Sequence, residues 1–196
     1  MPALSTQAHE TLFTAARTHN GWTEEAIPEA TLHQLYDLMK WGPTEANTTP
    51  GRFVFVTSPE AKAKLSPCMA AGNRAKTDAA PVTVLFAYDA AFFEYSPRLM
   101  PAIKGLREQY AGNALLAESV ARRSASLQAA YFMLAARSLG LDCGPMAGFD
   151  IDKVNEAFFA GTTWRINFVC NLGHGDPSKL YPRGPRLDFT EACKIL

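Results

Sequence analysis

This sequence has no net charge, no closely spaced cysteines and no long apolar run. Its 196 residues include 19 basic and 19 acidic side chains. A neutral chain lacks the broad basic surface of a nucleic-acid-binding protein and the basic run that binds anionic membranes. No apolar stretch approaches the roughly 20 residues of a membrane span, and the first ten residues are too polar for a signal peptide.

The cysteines and histidines also lack the spacing of a metal site. They are Cys68, Cys143, Cys170, Cys193, His9, His19, His33 and His174. No CxxC pair is present, so we expect buried thiols of a cytoplasmic protein rather than disulfides or zinc ligands. The histidines are expected to have surface or capping roles, and no metal is predicted.

The sequence motifs of dinucleotide folds, P-loops and serine hydrolases are absent as well. Gly173-His-Gly175 is a lone glycine pair, which we interpret as a turn.

Apolar periodicity predicts one domain, residues 1–196, that mixes helices and strands. Helices are predicted over residues 5–18, 28–40 and 114–139, and strands over 52–57, 81–88 and 164–172. Ser58 and Pro59 predict the cap and first residue of another helix. In the longest helix one stripe is predicted to be buried, namely Leu116, Val120, Leu127, Tyr131 and Leu134.

Residues 139–150 (LGLDCGPMAGFD) predict a short rigid loop between two helices. Gly140 is placed to end the first helix, and Asp150 is placed to cap the second. Backbone amides in such a glycine-rich loop can approach a flat ligand without interfering side chains. Residues 91–113 are interrupted by Pro97 and Pro101, and we interpret them as a lid over a site.

Four further segments carry polar side chains suited to ligand binding. They are Arg17-Thr18, the loop 43–50, Asn73 with Lys76, and the tail with Lys179, Arg183 and Arg186. Guanidinium groups bind phosphate through several donors at once. Each segment alone is explained equally well by a helix-end cation, a turn, an exposed helix face or a solvated loop.

Taken together and in order, five segments resemble the nitroreductase superfamily of FMN-dependent oxidoreductases. These segments are ARTHNGW, LMKWGPTEAN, APVTVLFAYD, SLQAAYFMLAARSLGLDCGPMAGFD and SKLYPRGPRL. The resemblance covers essentially the whole chain. It is strongest for the branch that includes malonic semialdehyde reductase, also called 3-hydroxypropionate dehydrogenase.

The resemblance implies an α+β fold, in which helices wrap a central, mainly antiparallel sheet. It also implies a homodimer with two FMN sites at the subunit interface and the helix of Tyr131 in the dimer core. The implied FMN-binding residues are Arg17, Thr18, Arg183 and Arg186 near the phosphate, Asn73 and Lys76 at the pyrimidine edge and ribityl chain, Pro43, Thr44 and Asn47 from the partner subunit, and Pro145, Met146, Ala147 and Gly148 against the ring.

In such an enzyme the flavin performs the chemistry and no catalytic side chain is needed. NADH or NADPH reduces FMN, which then reduces a small substrate in a ping-pong cycle. Lys76 would stabilise the negative charge of reduced FMN. The branch implies reduction of malonic semialdehyde to 3-hydroxypropionate, a step of pyrimidine ring catabolism, and Arg98, Lys104 and Arg107 are candidates to bind the substrate carboxylate.

Three alternatives remain open: a broader nitroaromatic or quinone reductase, a non-catalytic flavin-binding protein, and a structural interaction module. Several positions also depart from the family pattern. Asn20 replaces a second basic residue, and Gly51-Arg52 replaces the aromatic residue that often follows the loop proline. Glu45 stands where small residues are common, and its carboxylate requires a partner or solvent. The tail spacing leaves open whether Lys179, Arg183 or Arg186 contacts the phosphate.

Overall fold

A four-stranded antiparallel sheet lies at the centre of the computed structural model, which describes residues 2–196. The strands are β1 (Gly51–Val56), β2 (Val82–Asp89), β3 (Asp142–Met146) and β4 (Trp164–Gly173), in the spatial order β1-β2-β4-β3. Every pairing is antiparallel. The prediction of an α+β fold with a mainly antiparallel sheet is confirmed.

Helices cover both faces of this sheet. They are α1 (Thr6–His9), α2 (Glu29–Met39), α3 (Pro59–Leu65), α4 (Ala71–Ala79), α5 (Ser96–Leu99), α6 (Leu106–Ala111), α7 (Ala114–Ser138), α8 (Ile151–Phe159) and α9 (Phe189–Ala192). A π-helical turn follows α1, and short 3₁₀ turns occupy Glu45–Asn47, Ser66–Cys68, Phe92–Tyr95 and Pro177–Lys179. The three predicted strands agree with β1, β2 and β4 to within one residue at each end.

The first predicted helix ends earlier than its sequence pattern indicates. Its helical backbone stops at Thr14, because Thr18 pairs with Cys143 in a parallel bridge that requires extended backbone. Ser58 caps α3 as predicted, with its hydroxyl accepting a hydrogen bond from the N–H of Ala61 at 3.2 Å.

Small residues form most of the buried face of α7. It consists of Ala117, Val120, Ala121, Ser124, Ala125, Gln128, Ala129, Phe132, Ala135 and Ala136. The predicted stripe is therefore wrong at Leu127 and Tyr131, whose exposed fractions are 44% and 41%. Alanines let the helix backbone approach the sheet closely, and Phe132 fills the remaining space against the edge of Phe86 at 4.9 Å between ring centroids.

The loop predicted between α7 and α8 contains an edge strand, so that prediction is wrong for residues 142–146. Asp142–Met146 pairs with the end of β4, with Gly144 opposite Asn171. The predicted ends are confirmed: Gly140 has φ +77° after α7, and the Asp150 carboxylate accepts from the N–H of Lys153 at 3.1 Å. The strand forms because β4 would otherwise have an unpaired edge.

β2 is buried at every position because apolar side chains lie on both of its faces. On one face Phe86 packs in a cluster with Leu35, Met39 and Phe132. On the other face Leu85 packs in a second cluster, which includes Leu65, Val154 and Phe159. The alternation of side chains along β2 thus supplies both halves of the core.

Residues 91–113 form α5, α6 and a 3₁₀ turn rather than an irregular loop. Phe92, Leu106 and Tyr110 are buried in a third cluster that also contains Val120 of α7. Their function as a lid stays a prediction. No helix within residues 2–196 is long and apolar enough to cross a membrane.

Candidate functional site

An arginine-lined cleft of about 630 Å³ lies where the segment after α1, the end of α7 and the C-terminal tail meet. Its charged lining residues are Arg17, Arg137, Arg183 and Arg186, and no Asp or Glu belongs to the described lining. In a chain of zero net charge, this concentration of cations creates a site for an anion.

Backbone carbonyls hold three of these guanidinium groups in place. Arg17 donates to the carbonyl of Tyr181, and Arg137 donates to the carbonyl of Leu12 at 2.8 Å. Arg183 donates to the carbonyls of Thr14 and Ala16 at 2.9 and 3.0 Å. Because neutral carbonyls orient the groups without neutralising them, the cleft keeps its positive charge.

The structure separates the three basic residues of the tail. Arg183 and Arg186 line the cleft, although Arg186 is exposed and bonds to the nearby carbonyls of Gly184 and Pro185. Lys179 is not part of the lining and instead packs its side chain over Gly21. Arg137 was missed as a site residue, because its position near the end of a helix indicated only a helix-end cation.

Three glycines hold the chain that follows Arg17 and Thr18 against the sheet. A Cβ atom on Gly175 would lie 1.8 Å from Nδ1 of His19, and one on Gly144 would lie 2.6 Å from the His19 carbonyl oxygen. A Cβ atom on Gly173 would lie 2.9 Å from the Trp22 ring. The turn expected at Gly173-His-Gly175 is wrong, because Gly173 is the last residue of β4 and Gly175 pairs with Trp22 in an antiparallel bridge. The glycine pair is instead a packing surface of extended chain at the end of β4.

His19 is buried, with an exposed fraction of 7%, so the surface or capping role expected for it is wrong. Its Nε2 lies 3.3 Å from Oδ1 of Asp142 on β3. The other carboxylate oxygen of Asp142 accepts from the N–H of Gly175 at 2.9 Å. Asp142 thus connects the buried histidine to the end of β4.

Asn73 and Lys76 connect α4 to two other predicted site segments. The amide nitrogen of Asn73 donates to the carbonyl of Gly148 at 2.9 Å. The ammonium of Lys76 donates to Oδ1 of Asn20 at 3.2 Å. One helical face therefore holds both the loop after β3 and the segment after α1.

Pro145, Met146, Ala147 and Gly148 lie at the end of β3 and just beyond it. The N–H groups of Ala147 and Gly148 donate no hydrogen bond within residues 2–196. Since Thr18 pairs with Cys143 on the same strand, the site segments at Arg17-Thr18, Asn73, Lys76 and 145–148 meet along one edge of the sheet.

The loop with Pro43, Thr44 and Asn47 does not join this group within one chain. Asn47 donates to the carbonyl of Leu99 at 2.9 Å. Glu45, which follows Thr44, donates its N–H to the hydroxyl of Ser124 at 3.2 Å. Ser124 and Arg137 are 13 positions apart on α7, which is about 20 Å along a helix.

Glu45, which stands where a small residue was expected, has partners for its carboxylate. Its carboxylate lies 3.4 Å from Arg123 and accepts from the hydroxyl of Tyr110 at 3.3 Å. Burial, followed by the negative charge of Glu45, raises the pKa of Tyr110 above its ordinary value. The phenol therefore stays protonated and remains a donor to this carboxylate.

Two cations of the segment 91–113 differ in their availability for a ligand. Arg107 donates to both carboxylate oxygens of Glu94, at 2.8 and 2.9 Å, and these bonds raise the pKa of Arg107. Arg98 stacks over the ring of Tyr95 at 5.5 Å and has no carboxylate partner within residues 2–196. The candidate role of Arg107 in substrate binding is thus weakened.

The expectation of buried thiols is confirmed for Cys68, Cys143 and Cys170, whereas Cys193 is exposed. Burial raises the pKa of Cys170 well above its ordinary value, with a further contribution from Cys143. Within the described part of the chain, no group of three or more His, Cys, Asp or Glu side chains is arranged to hold a metal ion.

A sequence model of the nitroreductase family matches residues 15–174, most of the chain. The chain belongs to the nitroreductase family. A relative from Ralstonia nicotianae, 53% identical over 196 residues and covering 100% of both chains, carries the provisional name NADH dehydrogenase/NAD(P)H nitroreductase. The resemblance noted in the sequence is confirmed for the family as a whole.

Solved structures show that the nitroreductase fold extends over the full chain. A provisionally named nitroreductase from Bacillus subtilis superposes with a TM-score of 0.87 at 20% identity, covering 98% of this chain and 100% of its own. Another, from Exiguobacterium sibiricum in complex with FMN, gives 0.84 at 21% identity and covers 100% of both chains.

Proposed function

We propose that this protein is an FMN-dependent NAD(P)H oxidoreductase that reduces malonic semialdehyde to 3-hydroxypropionate. The observation that carries the cofactor proposal is the arginine-lined cleft beside the edge of β3. The name of the Ralstonia relative supports the nicotinamide donor, and the FMN complex of the Exiguobacterium protein supports the flavin.

The donor chemistry of the cleft fits the phosphate of FMN. Arg17, Arg137 and Arg183 each use part of their five donors on carbonyls, which leaves further N–H groups for an anion. Planar guanidinium groups bind phosphate oxygens through paired hydrogen bonds. The cleft volume of about 630 Å³ is within the usual range for small-molecule sites.

The neighbouring residues would hold the rest of the cofactor. Because the amide nitrogen of Asn73 donates to Gly148, its Oδ1 is left as an acceptor for a ring N–H. Lys76, oriented by Asn20, supplies a cation, and the free N–H groups of Ala147 and Gly148 supply donors. When bound, FMN supplies two-electron transfer between the nicotinamide and the substrate.

We further propose a homodimer, in which Pro43, Thr44 and Asn47 of one subunit complete the site of the other. Large apolar side chains on and near α2 and α7 support this assembly. They include Tyr36, Leu38, Trp41, Leu127 and Tyr131, with exposed fractions from 41% to 79%. An exposed apolar surface of this kind is typical of a protein interface.

A broader nitroaromatic or quinone reductase is the second candidate, and the name of the Ralstonia relative favours it. The two candidates differ in their substrate and share their cofactor residues. A non-catalytic flavin-binding protein would keep the same cleft without turnover.

An anaerobic absorption experiment tests the proposal directly. Purified protein with FMN is expected to show a bound-flavin spectrum that bleaches with NADH or NADPH and returns on adding malonic semialdehyde. Recovery with a nitroaromatic or a quinone alone would favour the second candidate. Bound flavin that neither nicotinamide reduces would favour a non-catalytic protein, and failure to bind FMN would overturn the cofactor assignment.

A further inference from the structure

A second cavity, of about 380 Å³, lies between β1, α7 and the segment 91–113. Its polar lining residues include Arg52, Arg98 and Gln128, and its apolar walls include Phe53 and Trp164. It shares none of its lining residues with the arginine-lined cleft.

Gln128 presents a fixed hydrogen-bond donor at this cavity. Its side chain is 96% buried, since only 4% is exposed, and its Oε1 accepts from the N–H of Gly51 at 2.7 Å. Because the N–H of Gly51 needs an acceptor, the oxygen of the Gln128 amide must face Gly51 and its nitrogen must face away from Gly51. Within residues 2–196 that nitrogen donates to no acceptor.

The two arginines of the cavity are in different electrostatic states. Arg52 is neutralised by Asp89, at 2.8 Å, in a pair whose side chains are 18% and 4% exposed. Arg98 stacks on the same Tyr95 ring as Arg52, at 5.5 Å against 5.2 Å, and has no carboxylate partner within the described residues. An exposed cation without a carboxylate partner among residues 2–196 and a buried amide donor therefore line the same cavity.

We propose that this cavity binds the carboxylate of the substrate, with Arg98 and the amide nitrogen of Gln128 as donors and the aromatic walls around its carbon skeleton. A carboxylate is the group that an uncompensated guanidinium and a neutral amide donor satisfy together. The inference rests on the proposed function and names its substrate class as small carboxylic acids.

The cavity adjoins the loop that is proposed to meet the cofactor of a partner subunit. Thr49 of that loop and Gly51, which follows it, line the cavity, and Asn47 donates to the carbonyl of Leu99, the neighbour of Arg98. A carboxylate held at Arg98 would therefore place the rest of a small substrate beside this loop.

Binding of benzoate to the purified FMN-loaded protein, measured by calorimetry against neutral benzamide, tests the inference. The variant R98M is expected to bind benzoate about tenfold more weakly, because one charge-assisted hydrogen bond is lost. Binding of benzamide should change little. The matched control is K64M, which removes an exposed cation of α3 that does not line the cavity and should leave benzoate affinity unchanged.

A second variant, Q128E, tests the amide donor independently of Arg98. One oxygen of the new carboxyl group can still accept from Gly51, while the other replaces the amide nitrogen and, when ionised, repels an anion. Loss of benzoate binding in Q128E supports the proposal. Equal benzoate affinity in wild type and R98M, equal losses of benzamide, or no binding of benzoate by wild type overturns it.

The same samples separate this inference from the proposed function. FMN content and bleaching by NADH are recorded for the wild-type protein in parallel. If the protein binds FMN but does not prefer benzoate to benzamide, the inference is wrong and the proposed function stands. If the protein binds benzoate but holds no FMN, the proposed function is wrong and the cavity is an anion-binding pocket only.

Discussion

The Lys76 ammonium donates a hydrogen bond to Oδ1 of Asn20 at 3.2 Å, which links α4 to the segment after α1. The resemblance noted in the sequence places Asn20 where a second basic residue is expected. A neutral acceptor there holds the lysine without competing for an anion. Asn20, which departs from the expected sequence pattern, therefore orients the Lys76 ammonium in the folded chain.

Replacing Lys76 by alanine is expected to lower the midpoint potential of bound FMN, because a cation that stabilises the reduced, anionic cofactor is lost. Each 1.4 kcal/mol of lost stabilisation corresponds to about 30 mV for a two-electron couple. Asn20→Ala should shift the potential in the same direction by less. Spectroelectrochemistry measures both, with Lys64→Ala as a control on an exposed helix face. A potential unchanged in Lys76→Ala would remove this lysine from the site.

Arg17→Ala and Arg137→Ala are each expected to weaken FMN binding by about tenfold or more, as for lost hydrogen bonds to a charged group. The physical reason is the loss of one phosphate donor from the cleft. Fluorescence titration of the apoprotein with FMN measures the affinity. The control is Arg165→Ala, whose exposed guanidinium bonds only to the nearby carbonyls of Thr162 and Trp164 within the described chain. If Arg137→Ala binds FMN with the affinity of the wild-type protein, Arg137 does not donate to the FMN phosphate.

Gly175→Ala is expected to destabilise the protein by about 1–3 kcal/mol, as overpacking does in a dense interior. The new methyl group would lie 1.8 Å from Nδ1 of the buried His19. Gly72→Ala is the matched control, because no atom lies within 4 Å of its Cβ position and alanine favours a helix by about 0.5–1 kcal/mol. Urea unfolding of both variants measures the free energies. Equal stabilities would contradict the close approach of His19 and Gly175.

Alkaline pH is expected to destabilise the protein through Cys170. Burial raises the folded-state pKa of this thiol well above its ordinary value of 9.0. Below pH 9 the thiol is protonated in both the folded and the unfolded chain, so the free energy of unfolding does not depend on it. Above pH 9 the thiol ionises only in the unfolded chain, which stabilises the unfolded state and lowers the free energy of unfolding. The loss is limited to about 1.4 kcal/mol per pH unit for one group. Thermal unfolding from pH 8 to 10.5 should show a shallower decline for Cys170→Ala than for wild type. Parallel declines would show that other groups dominate.

Local patterns in the sequence determined most of the elements. Alternating apolar residues specified β1, and the caps Ser58 and Asp150 specified where α3 and α8 begin. These features depend on neighbours a few positions away, so the sequence pattern is sufficient. The capacity of Arg17, Lys76 and Arg183 to bind an anion could also be predicted from the sequence, because guanidinium and ammonium groups bind anions in any fold.

Tertiary structure decided the features that depend on residues far apart in the chain. β3 exists because the edge of β4 was free to pair, and His19 is buried because Gly144 and Gly175 leave room for it. The buried face of α7 follows from how closely the sheet approaches it, so alanines are covered while Tyr131 is not.

The membership of the cleft was decided in the same way. By itself the sequence indicated several separate segments with anion-binding side chains and a chain that mixes helices and strands. Only the folded chain shows that Arg137 joins the cleft, that Lys179 does not, and that Arg107 is occupied by Glu94. The reason is that a long side chain can reach partners in any direction, and packing across distant segments selects which one it meets.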